Sequence, residues 1–461
     1  MGVKGDFTVV VSKKEVVAME LPMQEHWLPM SNLDLLLPPV DVGVFFCYKK
    51  TPQEDNLFTF GSMCGVLKKS LAQVLVSYYP FAGEVVQNSV GEPELLCNNR
   101  GVDFIEAFAD VDLCDLDLYN PDESIEGKFV PKKKQGVLCV QVTELKCGGL
   151  VLACTIDHRV ADAYSTNMFL VSWAETAQLV PLSFRPSFRR SLLNPRRPGF
   201  YPRSLSHLYI PISALPPPPE AAQPVADHLI SRIYIISADN LTRLQLLASA
   251  DGAHKTKLET FCAFLWKLVA AGVTGKGQFC KLGIVVDGRT RLSQGEMDKS
   301  KLFNLYFGNV LSIPYGEKPV RVLMNQPLSS TADAVHEFLK SAVTKDHFLD
   351  LIDWVEAQRP EPMLARIYAG GEEGSNGPAL VVSSGQRFPV SKVEFGWGKP
   401  LFGSYHFPWG GESGYVMPMP SPLGNGDWVV YMHMMKAQLD LIEREGGDVF
   451  RPLTFDYLND N

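Results

Sequence analysis

The chain has 461 residues, of which 46% are hydrophobic and 20% are charged, and its formal net charge is −8 at pH 7. This length favours two domains over a single core, and the composition is typical of a globular protein. The acidic balance argues against a general nucleic-acid-binding protein, since such a protein needs a basic face.

Nine cysteines are scattered along the chain without a C-x-x-C pair. Such a set indicates neither a disulfide framework nor a zinc site and favours a reducing compartment. Cys47, Cys139, Cys154 and Cys262 lie in apolar surroundings, where cysteine is more often a core residue than a nucleophile. No segment approaches the roughly 18 apolar residues of a membrane span, and residues 1–14 lack the apolar stretch of a signal peptide. We therefore predict a cytoplasmic monomer that contacts no membrane.

The first predicted elements are strands and an amphipathic helix. Residues 7–11 and 14–17 predict edge strands, whereas the stretch 22–39 is broken by prolines and predicts a loop with short turns. The apolar run 42–48 predicts a further strand. Apolar residues recur at helical spacing over 62–78, so this segment is expected to be a helix with one buried face.

The main candidate for catalysis follows a predicted hairpin. Residues 137–145 alternate in polarity and residues 150–156 are nearly all apolar, which predicts two paired strands, the second buried on both faces. Asp162 suits the N-cap of the helix that follows. His158 then lies where a strand ends, and an imidazole, with a free pKa of about 6.5, suits proton transfer near neutral pH. Taken alone, the pattern His-x-x-x-Asp more often marks a hydrogen-bonded histidine beside a capping aspartate.

A change of composition separates the two halves of the chain. Residues 181–224 are rich in arginine and proline and end in the run Leu215-Pro-Pro-Pro-Pro-Glu220. We interpret this segment as the connection between two domains, with the boundary near residue 215. A polyproline ligand for a partner domain is the alternative.

The second half contains a predicted helix start with phosphate-binding character. Thr256 and Glu259 have the spacing of a capping box, and Lys255 and Lys257 flank the threonine. Free N–H groups and the helix dipole at such a terminus attract phosphate, although an ordinary capped helix with solvated lysines is the alternative. Residues 380–384 predict a strand that ends in two hydroxyl side chains.

Two motifs resemble those of one family. His158-Arg-Val-Ala-Asp162 lies mid-chain and Glu394-Phe-Gly-Trp-Gly398 lies late, as do the His-x-x-x-Asp and Asp-Phe-Gly-Trp-Gly motifs of the plant BAHD acyltransferases. Lesser matches follow in the right order: Tyr79-Pro-Phe-Ala-Gly-Glu84, Cys97-Asn98, Val286-Asp-Gly-Arg-Thr-Arg291 and Tyr306-Phe-Gly-Asn309. The resemblance spans nearly the whole chain, and it is nearest the branch of coniferyl alcohol acyltransferases and piperine synthase-like enzymes.

The resemblance implies an α/β, two-domain chloramphenicol-acetyltransferase-like fold, with mixed sheets flanked by helices and joined by a crossover loop. Residues 1–185 would form the N-terminal domain with His-x-x-x-Asp, 186–224 the crossover, and 225–461 the C-terminal domain with Glu-Phe-Gly-Trp-Gly. It also implies acyl-CoA as co-substrate, no permanently bound cofactor, and no metal. Coenzyme A is expected near three residues, Lys255, Thr256 and Lys257.

The same resemblance implies roles in catalysis. His158 would take the proton of an acceptor that attacks the acyl-CoA carbonyl directly, so no acyl-enzyme is needed. Asp162 would be structural and pair with an arginine such as Arg289 or Arg291. Ser383 and Ser384 are candidates for stabilising the oxyanion.

Other residues are expected to shape the site rather than react. Phe45 lies on the strand that borders the acceptor pocket in family members, which favours an apolar or aromatic acceptor. The motif is expected to be architectural, because its glycines permit backbone shapes that other residues resist and its tryptophan packs. Its residues are Glu394, Phe395, Gly396, Trp397 and Gly398.

The chain departs from the family pattern near both motifs. Asp157 stands where many members have a second histidine, Ala163 replaces the usual glycine, and Glu394 replaces aspartate. Because alanine adopts a positive φ less readily than glycine, the turn at Ala163 is expected to differ. Gly385 falls where a tryptophan is common and is expected to open room for a bulkier acyl or acceptor group.

These observations predict transfer of an acyl group, of hydroxycinnamoyl or another aromatic type, from acyl-CoA to the hydroxyl of a small plant specialised metabolite. An alternative is formation of an amide with a small cyclic or aromatic amine. A non-catalytic small-molecule binding protein of the same fold and a hydrolase are the remaining alternatives.

Overall fold

Two mixed β-sheets organise the chain. The structure, a computed structural model, describes residues 7–50, 59–214, 228–250, 252–273, 278–369, 377–409 and 413–459. The proline run at the end of the predicted crossover lies outside the described residues.

The first half of the chain is rich in strands. They are β1 (Val9–Val17), β2 (His26–Pro29), β3 (Asp41–Tyr48), β4 (Glu84–Gln87), β5 (Pro93–Cys97), β6 (Val102–Ala109), β7 (Leu138–Leu145), β8 (Leu150–Asp157) and β9 (Tyr209–Pro211). The α-helices of this half are α1 (Phe60–Ser77), α2 (Pro121–Ser124) and α3 (Ala163–Ala177).

The second half alternates strands with helices. Its strands are β10 (Leu229–Ile236), β11 (Phe279–Ile284), β12 (Val286–Asp287), β13 (Leu311–Ser312), β14 (Tyr315–Pro319), β15 (Met363–Ala365), β16 (Ala379–Val382), β17 (Phe402–His406), β18 (Gly414–Pro420), β19 (Trp428–Met435) and β20 (Arg451–Pro452). Its helices are α4 (Ala238–Ala248), α5 (Lys257–Ala271), α6 (Arg289–Leu292), α7 (Met297–Asn304), α8 (Val320–Asn325), α9 (Leu328–Ala342), α10 (Lys345–Gln358), α11 (Lys436–Gly446) and α12 (Phe455–Asn459).

The first large sheet is built around the predicted hairpin. Its strand order is β1-β6-β7-β8-β3-β17, with β7 and β8 antiparallel. Every residue of β8 is buried, as its continuous apolar run predicts. β1 forms one edge, where the charges of Lys13 and Lys14 and a register shift after Val11 discourage pairing with another chain. The hairpin, the strand at 42–48 and the edge strand at the N-terminus are thus confirmed.

One strand of this sheet comes from the far end of the chain. β17 pairs antiparallel with β3, from Phe402 opposite Cys47 to His406 opposite Gly43. A Cβ on Gly43 would lie 2.9 Å from the carbonyl oxygen of His406, so the glycine permits this close pairing. A segment of the predicted C-terminal domain therefore completes the sheet of the predicted N-terminal domain.

The second large sheet has the strand order β14-β11-β16-β18-β19-β10-β20. Helices α5 and α9 cover one face, where Phe261 and Leu265 pack against Leu380 and Val416. Residues of the opposite face, such as Tyr415, belong instead to the hydrophobic core of the first half. The predicted capping box at the start of α5 is confirmed, since Thr256 and Glu259 bond each other's backbone N–H groups.

The proline-broken stretch 22–39 was expected to be loop, and that prediction is wrong at β2. His26–Pro29 pairs with β5 at the edge of a three-stranded sheet, β2-β5-β4. A proline is tolerated on an edge strand because its missing N–H faces no neighbour. The predicted helix at 62–78 is confirmed as α1, which begins at Phe60 behind the N-cap Thr59.

The cysteines are all free thiols, and Cys47, Cys139, Cys154 and Cys262 are buried. Burial raises the pKa of Cys47 to about 12, so this thiol is not a nucleophile. Across the described ranges, no group of three or more histidine, cysteine or acidic residues is arranged to hold a metal ion. No described helix has the length and hydropathy that crossing a bilayer requires.

Candidate active site

His158 lies on the wall of a cavity of about 610 Å³ between the two halves. β8 ends one residue earlier, and the backbone N–H of His158 donates to the Val40 carbonyl oxygen at 3.0 Å. The residue is half-buried, and its ring lies 6.4 Å from the ring of Phe407, centroid to centroid. Nδ1 is buried and has no hydrogen-bond partner among the described residues. The histidine is therefore open to a ligand rather than enclosed in packed side chains.

Asp162 caps α3, and its carboxylate is occupied by hydrogen-bond donors from the surrounding backbone and from Arg289. Its Oδ1 accepts from the Ser165 N–H at 2.9 Å, and its Oδ2 accepts from the Val310 N–H at 3.2 Å. Arg289 donates to the same carboxylate through Nη1 at 2.7 Å and Nη2 at 3.1 Å. Both side chains are 1% exposed. Of the two arginines that the sequence suggested as partners, the structure selects Arg289.

Asp162 and Arg289 form a buried ion pair, and their charges favour the ionised form of each. Burial lowers the pKa of Arg289, but the charges of Asp162 and Asp287 outweigh burial and the net shift is upward. The guanidinium also donates to the Gly308 carbonyl oxygen at 2.8 Å. Because the carboxylate and guanidinium have their polar atoms engaged in one another and in the backbone, the pair fixes the turn between His158 and α3.

Asn309 and Asp34 also support this turn, and the sequence analysis did not single them out as site residues. Asn309 Nδ2 donates to the carbonyl oxygens of His158 at 2.9 Å and Arg159 at 3.1 Å. It also donates to Asp34 Oδ1 at 3.0 Å, and the Asn309 N–H donates to the same oxygen at 2.7 Å. The histidine backbone is thus tied to the connection between β2 and β3. The available signal was the family-like match Tyr306-Phe-Gly-Asn309, of which this asparagine is the last residue.

Residues next to the motif explain two departures from the family pattern. Asp157 is buried and bonded by Arg159 through Nε at 2.9 Å and Nη2 at 2.6 Å, and Lys133 lies 3.9 Å from it. It is an ion-pair partner rather than a second base. Ala163 is the first residue of α3 and has no positive φ. The expectation of a distorted turn at Ala163 is therefore wrong, because a helix start needs no left-handed backbone.

The predicted coenzyme A residues are only partly brought to the cavity. Thr256 lines it, whereas Lys255 and Lys257 do not. Lys255 is buried and its Nζ is paired with Asp333. Glu259 also lines the cavity, and its Oε1 is hydrogen-bonded to His336 Nδ1 at 2.8 Å.

Three further cations line the cavity without an ion pair among the described residues. They are Arg291, Lys340 and Arg387. Lys340 is exposed on α9, near the start of α5, while Arg291 is half-buried and its Nε has no hydrogen-bond partner in the described ranges. An unpaired guanidinium or ammonium at a cavity wall suits an anionic group of a ligand.

The candidate oxyanion residues lie on the cavity wall, but the expected effect of the neighbouring glycine does not occur. Ser383 and Ser384 both line the cavity. A Cβ on Gly385 would lie 2.6 Å from Met419 Cγ and 3.0 Å from Met417 Cγ. The expectation that Gly385 opens room for a bulkier ligand group is wrong, because the two methionines fill the space into which a side chain at this position would extend.

Phe45 is not part of the cavity. Its side chain is fully buried, and its ring centroid lies 5.8 Å from that of Phe402. The prediction that it borders the acceptor therefore misplaces it. Strand alternation explains the difference, since Val42 lines the cavity from the same strand.

The late motif is built as a turn outside the cavity lining. Glu394 Oε1 accepts from the N–H groups of Gly396 at 2.9 Å and Gly398 at 3.3 Å. Both glycines have positive φ, +107° and +111°. Trp397 packs edge-on against Tyr48 at 6.3 Å, and Phe395 packs against Trp173 at 5.1 Å. Glutamate therefore fills the acceptor role that an aspartate would have in this turn.

The comparisons with known proteins agree with this geometry. The model of the Transferase family matches residues 7–449. The chain is 28% identical to a shikimate O-hydroxycinnamoyltransferase of Nicotiana tabacum over 445 residues, covering 93% of this chain and 96% of that one. It is also 28% identical to anthranilate N-benzoyltransferase protein 1 of Dianthus caryophyllus, again covering 93% and 96%.

A solved structure carries the comparison to the level of the fold. It is TRI101 of F. graminearum complexed with coenzyme A and T-2 mycotoxin, with a TM-score of 0.71 at 14% identity, covering 92% of this chain and 98% of that one. The predicted two-part α/β fold of the chloramphenicol-acetyltransferase kind is confirmed.

Proposed function

This chain belongs to the Transferase family, that of the BAHD acyl-CoA-dependent acyltransferases, and from that premise we propose that His158 is its general base. The protein is an acyltransferase that uses acyl-CoA and a small acceptor. The finer assignment is transfer of a hydroxycinnamoyl or related aromatic acyl group to a hydroxyl. The hydroxycinnamoyltransferase relative supports this acyl group and acceptor, and the observation that carries the assignment of the base is an imidazole on the wall of a cavity of about 610 Å³ at the join of the two halves.

In this mechanism the acceptor and acyl-CoA occupy the cavity together. Since Nδ1 of His158 is buried, Nε2 is the nitrogen that takes the acceptor proton. The acceptor oxygen attacks the thioester carbonyl, and the C–S bond of the tetrahedral intermediate then breaks. The imidazolium returns the proton to the departing thiolate of coenzyme A. No enzyme nucleophile is consumed in this sequence.

The developing oxyanion needs a donor near the carbonyl. Ser383 and Ser384 are the proposed hydroxyl donors, since both line the same cavity as His158. Burial raises the pKa of Tyr415, which lines the cavity together with Ser383, so this phenol stays neutral there. Asp162 acts only by fixing the turn.

Coenzyme A is proposed to lie toward α5 and α9. Thr256 and the N-terminus of α5 border the cavity there, and Lys340 supplies a cation without an ion pair in the described ranges. Arg291 adds a second such cation. Lys255 and Lys257, the flanking lysines, would then contribute charge at longer range. We further propose a monomer of the cytoplasm, in keeping with nine free thiols.

Thiol release distinguishes the remaining classes of function. Incubating the protein with cinnamoyl-CoA and benzoyl-CoA is expected to release coenzyme A only when an alcohol acceptor is added, with an ester of matching mass as product. Release to water alone would make the protein a hydrolase. Absence of release with any alcohol or amine would make it a binding protein of the same fold.

The pH profile separates alcohol from amine acceptors, and the benzoyltransferase relative keeps the amine alternative open. An alcohol carries no group that titrates between pH 6 and 9.5, so its transfer rate is not expected to keep climbing toward the alkaline end of that range. An amine is mostly protonated near neutrality, so its rate climbs further toward the amine pKa. Initial rates between pH 6 and 9.5 with matched benzyl alcohol and benzylamine test this, and a faster, still-climbing amine rate would favour amide formation.

A further inference from the structure

Two aromatic rings lie edge to face on the wall of the cavity. Tyr368 and Trp409 both line it, with ring centroids 4.6 Å apart and planes at 66°. Phe407, two residues before the tryptophan, lines the same wall and lies beside the His158 ring. An edge-to-face pair of this kind presents both a ring face and a ring edge to a ligand.

The tryptophan is held in place by hydrogen bonds at its ring and its backbone. Its Nε1 donates to the Ser413 carbonyl oxygen at 3.0 Å, and its own N–H donates to the Phe407 carbonyl oxygen at 2.9 Å. Its carbonyl oxygen accepts from His433 Nε2 at 3.2 Å. Burial lowers the pKa of His433, so this histidine is a neutral partner. A ring fixed in this way loses little freedom when a ligand binds.

The two ends of the cavity differ in chemistry. Leu258 and Leu339 line it where α5 and α9 cover the second sheet, and the exposed Lys340 lies there. Phe407 and Tyr415 line it on the opposite face of that sheet, within the core of the first half. The phosphates of acyl-CoA suit the end with the cation. Trp409 belongs with Phe407, beside the His158 ring, to the core of the first half, which leaves this side of the cavity for the acceptor.

We propose that Tyr368 and Trp409 are specificity-determining residues that hold an aromatic ring of the acyl acceptor. The inference rests on the proposed function, because it assumes that His158 receives the acceptor proton. The ring packs against the indole and the phenol while the acceptor hydroxyl reaches the imidazole. Burial raises the pKa of Tyr368, so the phenol stays neutral and favours an uncharged ring.

A matched pair of alcohols tests this assignment. 3-Phenylpropan-1-ol and 3-cyclohexylpropan-1-ol share a chain and a hydroxyl but differ in ring aromaticity. With one acyl-CoA at saturation, Trp409→Leu is expected to raise KM for the phenyl alcohol about fivefold. KM for the cyclohexyl alcohol and for the acyl-CoA should stay within about twofold of the wild type. Trp409→Phe should restore most of the preference, and Tyr368→Leu should weaken it as Trp409→Leu does.

Controls keep each outcome interpretable. Trp27→Leu removes an exposed indole on β2, outside the cavity, and should change neither KM. If Trp409→Leu does not fold, Trp409→Phe and Tyr368→Leu carry the test. A rise in KM for acyl-CoA instead of the alcohol would overturn the proposal, as would equal losses for both alcohols. If the wild type transfers to neither alcohol, calorimetric binding of the two to wild type and Trp409→Phe decides separately. Preferential, tryptophan-dependent binding of the phenyl alcohol would then support the ring site while the transferase assignment fails.

Discussion

His158→Ala is expected to lower kcat for acyl transfer by about 10²- to 10⁴-fold, the usual contribution of a general base. The fold should be retained, because the imidazole is half-buried and its Nδ1 has no hydrogen-bond partner among the described residues. The backbone bonds of the residue, from its N–H to Val40 and from Asn309 to its carbonyl oxygen, do not depend on the side chain. Steady-state kinetics and a thermal unfolding midpoint, measured on the same preparation, check both halves of this expectation.

A surface histidine provides the matched control. His207 is exposed and does not line the cavity, so His207→Ala should leave kcat unchanged. Added imidazole is expected to recover part of the activity of His158→Ala, since a small base can occupy the vacated space. A folded His158→Ala that kept most of its turnover would remove the base from the mechanism.

Asp162→Asn is expected to lower the free energy of unfolding by about 3 kcal/mol, the lower end of the range for breaking a buried ion pair, since the buried Arg289 then keeps only Asp287, at 3.3 Å, as its counter-charge. The rate should fall as well, because the turn that presents His158 would loosen. Urea unfolding of Asp162→Asn, Arg289→Met and the double variant forms a mutant cycle. The double variant should be less destabilised than the sum of the two single variants.

An exposed pair gives the comparison for this cycle. Arg243 and Asp448 lie 2.7 Å apart, with more than half of each side chain exposed. Asp448→Asn should leave stability almost unchanged, because solvent screens such pairs. Additive losses across the Asp162–Arg289 cycle would show that the two groups are not coupled.

Local signals in the sequence predicted the elements that carry the site. The alternation over 137–145 and the apolar run over 150–156 predicted the hairpin that ends at His158, and the capping preferences of Asp162 and Thr256 predicted two helix starts. Each of these depends on neighbours within a few residues. The hairpin and the two helix starts could be predicted because hydrophobic periodicity and helix capping depend on residues that are close in sequence.

Features that depend on distant parts of the chain could not be derived in this way. Arg289 rather than Arg291 pairs with Asp162 because its guanidinium faces the N-cap of α3. The two residues are 127 positions apart in sequence, so no local pattern could reveal this contact. The filling of space at Gly385 by Met417 and Met419 depends on the neighbouring strand. Likewise, the local match Tyr306-Phe-Gly-Asn309 draws attention to Asn309 but does not show that it ties the base to Asp34, which is 275 positions away in sequence.

The pairing of β17 with β3 also sets the order in which the protein can be completed. As the chain leaves the ribosome, β3 and β8 can pair early, but the outer edge of β3 stays open until residues 402–406 have been synthesised. An unpaired edge is a site where nascent chains associate. A shortened product that stops before Phe402 would carry His158 and Asp162 on a sheet lacking its last strand, so translation must run nearly to its end before the six-stranded sheet is complete.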